Sequence, residues 1–519
     1  MKIVSVDQMI AIEKAANDRG LTYDTMMQNA GSGVGEWVIA NLSLKQGVIG
    51  LIGSGNNGGD TLIALTTLAR RGVRTCAFLV KKQEKDELIK AYVEHGGVVV
   101  DLADQNHLDK LAAELNAGAI ILDGRLGTGV KLPLRGNLLS IMSKVSRLVQ
   151  RSPKTLVIAV DCPSGVDCDT GEVSAVTLSA LHTLTMAAVK QGLLKHPARS
   201  YAGQIHLIQI GIEDKSEFVD QPLPEVLAPV MIRRIMPDRP DIGHKGTFGT
   251  CLVIAGSDKY TGAAYLAGKA AYRAGCGLVN IAAHKTVRDS LSGELVEAVW
   301  TILPDDNGQY DRHAIDLLLP ALQNADSLVI GPGWGLGDKN ASFLEVLLQV
   351  IPDNLPTLFD ADGLKLLDQL EKWWSKIPEQ SVLTPHPGEM AALSGFTVQE
   401  IQSNRWSIAQ RFAKKWDVTL LLKGAGSVIA MPDRQFVVAP VSDSGLATAG
   451  SGDVLSGLIG GFMAQGASVN HATAIGTWVH SQAGVIAHNK YGSALPVTAC
   501  DILDCISSAI SAVTGPKIR

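Results

Sequence analysis

The first 212 residues alternate short apolar runs with longer segments in which apolar residues recur at helical spacing. Each run is rich in aliphatic residues and has the length of a buried strand. The runs that we predict to be strands are 47–53, 73–80, 98–102, 119–123, 155–161, 182–189 and 204–210. Strands that alternate with helices are typical of βαβ units, so we expect a largely parallel sheet with helices on its faces.

The same alternation resumes after residue 244. The predicted strands of this second part are 250–255, 278–283, 327–331, 357–360, 382–385, 419–423 and 436–440. Between the two parts, residues 213–240 are rich in proline and acidic residues, which predicts a domain linker near 214–228. The pattern therefore predicts two α/β domains, 1–218 and 222–519.

Residues 454–489 contain no Asp, Glu, Lys or Arg. Polar residues such as Gln465, Asn470 and His480 interrupt the segment, together with several glycines. A membrane helix needs about 20 predominantly apolar residues in a row. We therefore predict a pair of buried helices and no association with a membrane.

The composition excludes two classes of protein. Apolar residues make up 46% of the chain and charged residues 19%, which is unlike a disordered protein. The 46 Lys and Arg residues do not exceed the 51 Asp and Glu residues, so binding to nucleic acid through phosphate neutralisation is not expected. The seven cysteines show no C-x-x-C spacing, and the N-terminus has no apolar signal segment. These features predict a reducing, cytoplasmic location.

Residues 53–60 read GSGNNGGD between the first predicted strand and a helical pattern. This sequence satisfies G-x-G-x-x-G, in which glycines let the backbone approach a phosphate at a helix N-terminus. Dinucleotide dehydrogenases add an acidic residue about 20 positions further on. Here the second strand ends in Lys81 and Lys82, so an ordinary dehydrogenase is not favoured. A tight turn without a ligand is the alternative, but the paired Asn56 and Asn57 favour a binding role.

Two other predicted strands end in a carboxylate followed by a glycine-containing loop. Asp123 precedes the GTG sequence at 127–129, and Asp161 precedes Pro163, Ser164 and a glycine. Ligands bind at the carboxyl ends of strands in open parallel sheets, so we expect these loops to converge. The oxygens of Asn57, Asp123 and Ser164 would suit a hard cation, and Asp161 would be a candidate acid or base. Either aspartate could instead simply cap its loop.

These three motifs, GNNGGD, D-x-x-x-GTG and D-x-PSG-x-D, resemble the NAD(P)H-hydrate epimerase family, also called the YjeF N-terminal domain. The resemblance covers residues 1–212 and implies a Rossmann-like three-layer fold. It implies a potassium ion on Asn57, Asp123 and Ser164, and it implies Asp161 as the acid or base. The implied substrate-binding residues are Asn56, Asn57, Gly58, Gly59, Asp60, Gly127, Thr128, Gly129 and Asp161.

Four residues depart from the pattern of that family. Thr61 stands where glycine is usual, and Gly124 with Arg125 replaces a more apolar pair. Cys162 replaces an aliphatic residue. None of these departures removes an implied ligand, although Arg125 could alter the wall of the pocket.

The strongest local signal in the second part is the sequence ATAGSGDVLSG at 447–457, which opens an apolar helix. Successive N–H groups at a glycine-rich helix start can bind an anion. An aspartate placed there, here Asp453, can take a proton from a hydroxyl that attacks a phosphoryl group. The alternative is that Asp453 is only a favourable charge in the first helical turn. The P-loop sequence is absent from the chain.

Further glycine-rich or charged loops follow the predicted strands of this part. Lys423 beside glycines suits contact with a nucleotide, and His386 between two prolines is held in a fixed loop.

In order, the motifs HKGTFG, TGAA, GPG-x-G, DAD, TPHPGEM, KGAGS and GSGD resemble the ADP-dependent NAD(P)H-hydrate dehydratase family. The match runs from about 228 to 515 and implies a ribokinase-like three-layer α/β fold. Ser427 and Trp334 depart mildly from the usual residues.

The resemblance implies that Asp453 is the catalytic base of this part and that magnesium accompanies the ADP. The implied contacts to the hydrated substrate are Ala263, Gly335, His386 and Asp453. The implied contacts to the adenine nucleotide are Lys423, Gly424, Ala425, Gly426, Ser427 and Gly452.

Together the two resemblances imply a bifunctional metabolite-repair enzyme acting on hydrated NADH or NADPH with ADP or ATP. One domain would interconvert the R and S epimers, and the other would dehydrate the S form. We also expect a homo-oligomer. Two alternatives stay open: a small-molecule kinase with a regulatory N-terminal half, and an N-terminal half that only senses a ligand or binds a protein.

Overall fold

The protein is described from a computed structural model. The structure describes residues 1–80, 86–104, 107–213, 218, 221–306, 308–433, 435–441 and 443–515. Lys81, Lys82 and residues 214–217, 219 and 220 of the predicted linker lie outside these residues. The chain divides into two compact units, residues 1–223 and 224–519. The functional assignment of the predicted domains 1–218 and 222–519 remains a prediction at this point.

Unit 1 is built on a parallel sheet of seven described strands in the order β4-β3-β2-β5-β6-β7-β9. A separate parallel pair joins β1 to β8. The strands are β1 (Ile3–Val4), β2 (Val48–Ile52), β3 (Thr75–Leu79), β4 (Val98–Asp101), β5 (Ile120–Gly124), β6 (Val157–Val160), β7 (His182–Met186), β8 (Val189–Lys190) and β9 (Gln204–Ile208). All seven strands predicted for this part are present.

Helices cover both faces of this sheet. They are α1 (Val6–Asp18), α2 (Tyr23–Asn41), α3 (Asn56–Arg70), α4 (Asp86–Glu94), α5 (His107–Asn116), α6 (Gly136–Gln150) and α7 (Arg199–Ala202), with a 3₁₀ turn at Gln191–Leu194. Successive side chains of a strand face opposite sides of a sheet. Accordingly, Val48 and Ile52 of β2 join the apolar layer under α2 and α3, whereas Ile49 and Leu51 join the layer under α5 and α6.

Unit 2 contains a sheet of ten described strands in the order β10-β21-β20-β19-β18-β17-β16-β11-β12-β13, and an antiparallel hairpin of β14 and β15. The sheet is parallel except that β20 runs antiparallel to both of its neighbours. The strands are β10 (Glu225–Val226), β11 (Thr250–Ile254), β12 (Leu278–Ala283), β13 (Val299–Ile302), β14 (Asp305–Asp306), β15 (Gln309–Tyr310), β16 (Ser327–Ile330), β17 (Thr357–Phe359), β18 (Ser381–Leu383), β19 (Thr419–Leu422), β20 (Val428–Ala430) and β21 (Phe436–Val438).

The helices of unit 2 are numbered on from those of unit 1. They are α8 (Pro229–Ile235), α9 (Thr261–Ala274), α10 (Lys285–Leu291), α11 (Ile315–Gln323), α12 (Asp338–Val350), α13 (Asp362–Leu367), α14 (Pro387–Ser394), α15 (Val398–Ser403), α16 (Arg405–Trp416), α17 (Ser451–Ala464), α18 (Val469–Tyr491) and α19 (Ala499–Thr514). The 3₁₀ turns are Lys245–Phe248, Arg312–Ala314, Trp373–Ser375 and Ser444–Leu446.

The uncharged segment 454–489 forms the buried helices α17 and α18, as predicted. Small residues let α17 approach α9: a β-carbon on Gly457 would collide with the carbonyl of Ala267, and one on Gly461 would lie 2.6 Å from the carbonyl of Ala271. Within the described part of the chain, no helix combines the length and the apolar character needed to cross a membrane.

The strands that the sequence did not predict are short or lie near the sheet edges. They are β1, β8, β10, β13, β14, β15 and β20, each two to four residues long. Two-residue strands carry too little of the two-residue alternation to be recognised. Every one of the fourteen predicted strands is found, with ends that differ by no more than three residues.

Candidate functional site

The GSGNNGGD sequence forms the turn between β2 and α3, with Gly55 as the N-cap. A β-carbon on Gly58 would collide with the carbonyl of Gly53, and one on Gly53 would collide with the carbonyl of Arg125. Glycine is therefore required at both positions, and the turn packs tightly against the loop that follows β5. The N–H groups of the first helical turn have no acceptor within their own helix, which makes this turn suitable for binding an anion.

The turn borders a cleft of about 680 Å³ in unit 1. Seven of the predicted substrate-binding positions line it besides Asp161, namely Asn56, Asn57, Gly58, Asp60, Gly127, Thr128 and Gly129. Gly59 does not line the cleft; it is buried within α3. The carboxyl ends of β2, β5 and β6 thus converge as the sequence predicted.

Asp161 lies at the end of β6 with a backbone φ of +62°. Its Oδ1 accepts a hydrogen bond from Lys190 Nζ at 2.5 Å, from the Met186 N–H at 3.1 Å and from the Thr185 hydroxyl at 3.2 Å. Burial alone would lower the pKa of Lys190, but attraction to Asp161 and their hydrogen bond raise it above the usual value. Lys190 therefore stays protonated and holds the carboxylate of Asp161 at the cleft.

Helices α1 and α2 supply a wall of the cleft that the sequence analysis did not predict. Glu13 of α1 lines the cleft together with Tyr23, Asp24, Met26 and Met27 of α2. Burial raises the pKa of Glu13; the charge of Lys190 opposes this shift, and that of Asp161 adds to it. The only sequence signal for α1 is its capping box, in which Ser5 and Gln8 bond to each other's backbone N–H.

The residues predicted to bind potassium do lie together, but they do not form the predicted site. Arg125 donates to both carboxylate oxygens of Asp123, from Nε at 2.7 Å and from Nη2 at 3.0 Å. The Ser164 hydroxyl also donates to Asp123, at 2.7 Å. Burial acts to raise the pKa of Asp123, but Arg125 and Ser164 together hold it below its usual value. The prediction of potassium on Asn57, Asp123 and Ser164 does not fit this arrangement, because the charge of Asp123 is already neutralised.

In unit 2, Gly450 starts α17 in a left-handed conformation, with a φ of +85°. Asp453 follows in the first turn of the helix. Burial raises the pKa of Asp453 to about 7, and the nearby carboxylates of Asp360 and Asp362 contribute to this shift. A carboxyl group with this pKa is well matched to accept a proton near neutral pH.

Lys423 follows β19 and reaches the start of α17. Its Nζ donates to Asp360 Oδ1 at 2.6 Å, and the other oxygen of Asp360 accepts from the Ser456 hydroxyl at 2.6 Å. A β-carbon on Gly452 would lie 3.5 Å from Lys423 Nζ. Burial acts to lower the pKa of Lys423, but Asp360 and Glu389 raise it above its usual value. A permanent cation therefore lies beside the helix N-terminus, as binding of a phosphate requires.

The rest of the predicted nucleotide loop turns sharply after Lys423. Gly424 and Gly426 have φ values of +135° and +67°, which glycine adopts without strain. The hydroxyl of Ser427 donates to the carbonyl of Gly424 at 3.0 Å, which closes the turn around Ala425. Ala425 is exposed, so this loop is open to a ligand.

His386 caps the N-terminus of α14. Its Nδ1 accepts from the N–H groups of Gly388 and Glu389 at 3.0 and 3.2 Å, so this nitrogen carries no proton. Burial and the charge of Lys423 lower the pKa of His386, and burial raises the pKa of Glu389 to about 7. The ring is therefore neutral near pH 7, with Nε2 lying 3.3 Å from Glu389 Oε1.

The loop that contains Gly335 packs on the start of α9. A β-carbon on Gly333 would lie 2.6 Å from that of Ala263. The N–H of Gly335 donates to Asp362 at 2.9 Å, and Asp362 also accepts from Lys365 at 2.9 Å. The predicted substrate contacts Ala263 and Gly335 are thus tied to a neighbouring carboxylate.

Asp360, Asp362 and Glu389 are the acidic residues of this site that we did not assign from the sequence. All three belong to the motifs DAD and TPHPGEM. These acidic residues are visible in the sequence, but the residues with which they form hydrogen bonds are distant in the chain. Asp360 and Lys423, for example, are 63 residues apart.

Comparisons with known proteins match both halves of the chain. A family model described as NAD(P)H-hydrate dehydratase matches residues 251–508, and one described as YjeF-related protein N-terminus matches residues 23–192. The bifunctional NAD(P)H-hydrate repair enzyme Nnr of Moorella thermoacetica is 34% identical over 514 residues, which cover 97% of this chain and 96% of the relative. The enzyme of the same name from Thermofilum pendens is 32% identical over 505 residues, which cover 95% and 93% of the two chains.

The solved structures similar to this chain include the ADP/ATP-dependent NAD(P)H-hydrate dehydratase of Bacillus subtilis co-crystallised with ATP and Mg²⁺. The identity is 26% with a TM-score of 0.48, and the match covers 56% of this chain and 99% of that one.

Proposed function

Because this chain belongs to the family of bifunctional NAD(P)H-hydrate repair enzymes, we propose that it returns hydrated NADH and NADPH to the usable cofactors. Unit 1 interconverts the R and S epimers of the hydrated nicotinamide ring. Unit 2 transfers phosphate from ADP to the hydroxyl of the S epimer and then eliminates it, giving NAD(P)H, AMP and phosphate. The observation that carries this proposal is the similarity of the relatives along almost the whole chain, which spans both units.

The contacts around Asp453 support its role as the base of the dehydration. A carboxyl group with a pKa of about 7 is partly ionised at neutral pH and can accept the proton of the attacking hydroxyl. Lys423 and the N–H groups at the start of α17 would stabilise the charge on the transferred phosphoryl group. Phosphorylation is chemically useful here because phosphate leaves far more readily than hydroxide.

The cleft of unit 1 supports binding of the hydrated nicotinamide nucleotide. Its glycine-rich turn at the start of α3 suits the phosphates, and Asp161 faces the same space. The carbon that bears the hydroxyl is also bonded to the ring nitrogen. Its configuration inverts if the hydroxyl proton leaves as this C–N bond breaks to give an aldehyde, while the nitrogen takes up a proton, and if the bond then re-forms on the opposite face with the protons returned. Asp161 would accept and return the hydroxyl proton, with Lys190 holding its carboxylate in place. The roles of Asn56, Asn57, Gly58, Asp60 and the 127–129 loop in binding the substrate are part of the proposal.

Magnesium would enter unit 2 with the nucleotide. Among the residues that the structure describes, no group of three or more His, Cys, Asp or Glu side chains is arranged to hold a metal ion. Mg²⁺ commonly binds through substrate phosphates, water and only one or two carboxylates, so the phosphates of the nucleotide would supply most of its ligands. The seven free cysteines support a reducing, cytoplasmic compartment, and a homo-oligomer remains a prediction.

The test is a coupled repair assay with the full-length protein. A mixture of the R and S forms of hydrated NADH is incubated with ADP or ATP and magnesium, and NADH formation and both epimers are followed. The proposal predicts complete conversion with a nucleotide, and epimerisation alone without one. A small-molecule kinase would instead phosphorylate members of a panel of sugars and vitamins and leave hydrated NADH unchanged.

A further inference from the structure

The alkali-cation site that the family resemblance implies contains an arginine in this chain. Arg125 follows Asp123 by two residues, at the end of β5. Side chains two residues apart along a strand lie on the same face, so the two can meet. Neither side chain has any exposed surface, and the guanidinium of Arg125 donates hydrogen bonds to both carboxylate oxygens of Asp123.

Most polar atoms of the implied ligands make contacts with one another or with the backbone. The Ser164 hydroxyl and its N–H both donate to Asp123, at 2.7 and 3.2 Å. The carboxamide nitrogen of Asn57 donates to the carbonyl of Leu126 at 2.9 Å. Among the described residues, Asn57 Oδ1 and Arg125 Nη1 are buried without a hydrogen-bond partner.

The charges exclude a second cation at this position. Asp123 carries the only full negative charge among the three implied ligands, and the guanidinium of Arg125 is a cation that already pairs with it. An alkali cation on Asp123 would lie beside this guanidinium, with no second carboxylate among the implied ligands. Like charges repel strongly in a buried site, where water cannot screen them.

We propose that the guanidinium of Arg125 takes the place of the alkali cation, so that the N-terminal site of this chain assembles without potassium. The guanidinium is a cation that belongs to the chain itself, and it links the structural elements that a bound ion would otherwise link. It connects the end of β5 to the Ser164 loop through Asp123. The backbone of the same segment holds the carboxamide of Asn57.

The first test uses the full-length wild-type protein in potassium, sodium or choline chloride at equal ionic strength. We expect the melting temperature of unit 1 to agree within about 1 °C between potassium and sodium, since no ion-specific site exists. Crystals soaked in a thallium salt, as a heavy mimic of potassium, should show no anomalous density at Asp123. Thallium at Asp123, or a potassium-specific rise in the melting temperature, would overturn the proposal.

The second test removes the guanidinium. Arg125→Ala leaves Asp123 buried and unpaired, so we expect a lower melting temperature in sodium or choline. Potassium should then raise it by about 4 °C or more, and thallium should bind at Asp123. Arg74→Ala, which breaks the surface pair with Glu114, is the matched control and should show no potassium response. If Arg125→Ala folds but gains no response to potassium, the guanidinium does not substitute for an ion.

If Arg125→Ala does not fold in any salt, the Arg125→Lys variant and the wild-type crystals still test whether the guanidinium replaces an ion. Arg125→Lys keeps a charge at Asp123 and should remain insensitive to potassium. The activity part of the proposal rests on the proposed epimerase function: wild-type epimerisation should change less than about twofold between potassium and choline. No epimerisation in any salt would refute that function, whereas the thermal and crystallographic results would still test the role of Arg125.

Discussion

The hydroxyl oxygen of Thr61 occupies the space that a β-carbon on Gly124 would need. The same hydroxyl donates to the carbonyl of Asn57 at 2.7 Å, which fixes its position in the first turns of α3. The side chain at position 61 and the absence of a β-carbon at position 124 are therefore sterically coupled across α3 and β5.

This relationship predicts that Gly124→Ala destabilises unit 1. The added methyl group forces Thr61 or the backbone to move, and overpacking of this kind costs about 1–3 kcal/mol. Adding Thr61→Gly should recover part of that loss despite the lower helix propensity of glycine. Denaturant unfolding of the two single variants and the double variant measures the coupling.

Gly129→Ala is the control for this series. A β-carbon on Gly129 meets nothing within 4 Å, and its φ lies outside the left-handed region. Its effect on stability should stay within about 0.5 kcal/mol. Strictly additive effects of Gly124→Ala and Thr61→Gly would contradict the steric relationship.

Asp453→Asn should abolish dehydration and leave epimerisation intact. The carboxamide keeps the shape of the carboxylate but cannot accept the hydroxyl proton, and a positioned base contributes roughly 10²–10⁴-fold. Both reactions are measured on the same full-length protein, so epimerisation serves as the internal control for folding. Dehydration within about threefold of the wild type would show that Asp453 is not the base.

The dehydration rate should rise with pH and level off above about pH 7. The base must be ionised, and burial together with Asp360 raises the pKa of Asp453 to about 7. Below that value, kcat/KM at saturating ADP should fall about tenfold for each pH unit. Glu389 also has a pKa of about 7, so the profile is repeated with Glu389→Gln. If the rate of this variant still rises with pH, the rise is due to ionisation of Asp453. If the rate of the variant no longer depends on pH, the rise in the wild type is due to Glu389.

Glu13→Gln should slow epimerisation by about tenfold or more without changing the dehydration of the S epimer. Glu13 lies in the same cleft as Asp161 and interacts electrostatically with both Asp161 and Lys190. A carboxyl group in this position can exchange a proton with the substrate, and a carboxamide cannot. Asp7→Asn changes an exposed carboxylate on the same helix and should leave both rates unchanged. An epimerisation rate of Glu13→Gln within twofold of the wild type would remove Glu13 from the site.

The sequence predicted the framework of the sites because that framework is local. Asp123 and Asp161 follow apolar strands, and Asp453 follows glycines at a helix start, so short patterns were sufficient. The pairing of the two carboxylates at the ends of β5 and β6 followed from the rule for ligand sites in parallel sheets.

The remaining contacts depend on the order of strands and on side-chain geometry. Lys423 meets Asp360 because β17, β18 and β19 are neighbours in the sheet, an order that the sequence does not specify. Glu13 lines the same cleft as Asp161 because Met9 and Ile12 of α1 pack into the apolar layer on that face of the sheet. Arg125 was noted as a departure, but the sequence alone could not show whether its side chain faces Asp123 or solvent.

The left-handed backbone of Asp161 is linked to the buried amine of Lys190. A residue with a β-carbon at a φ of +62° is strained, and glycine would relieve that strain. Asp161→Gly would also leave the buried ammonium of Lys190 without its carboxylate, which costs more than the strain. A population of variants selected only for heat resistance should therefore keep both residues or replace both together. The co-occurrence of substitutions at positions 161 and 190 in such a population would show that the chain treats the pair as one unit.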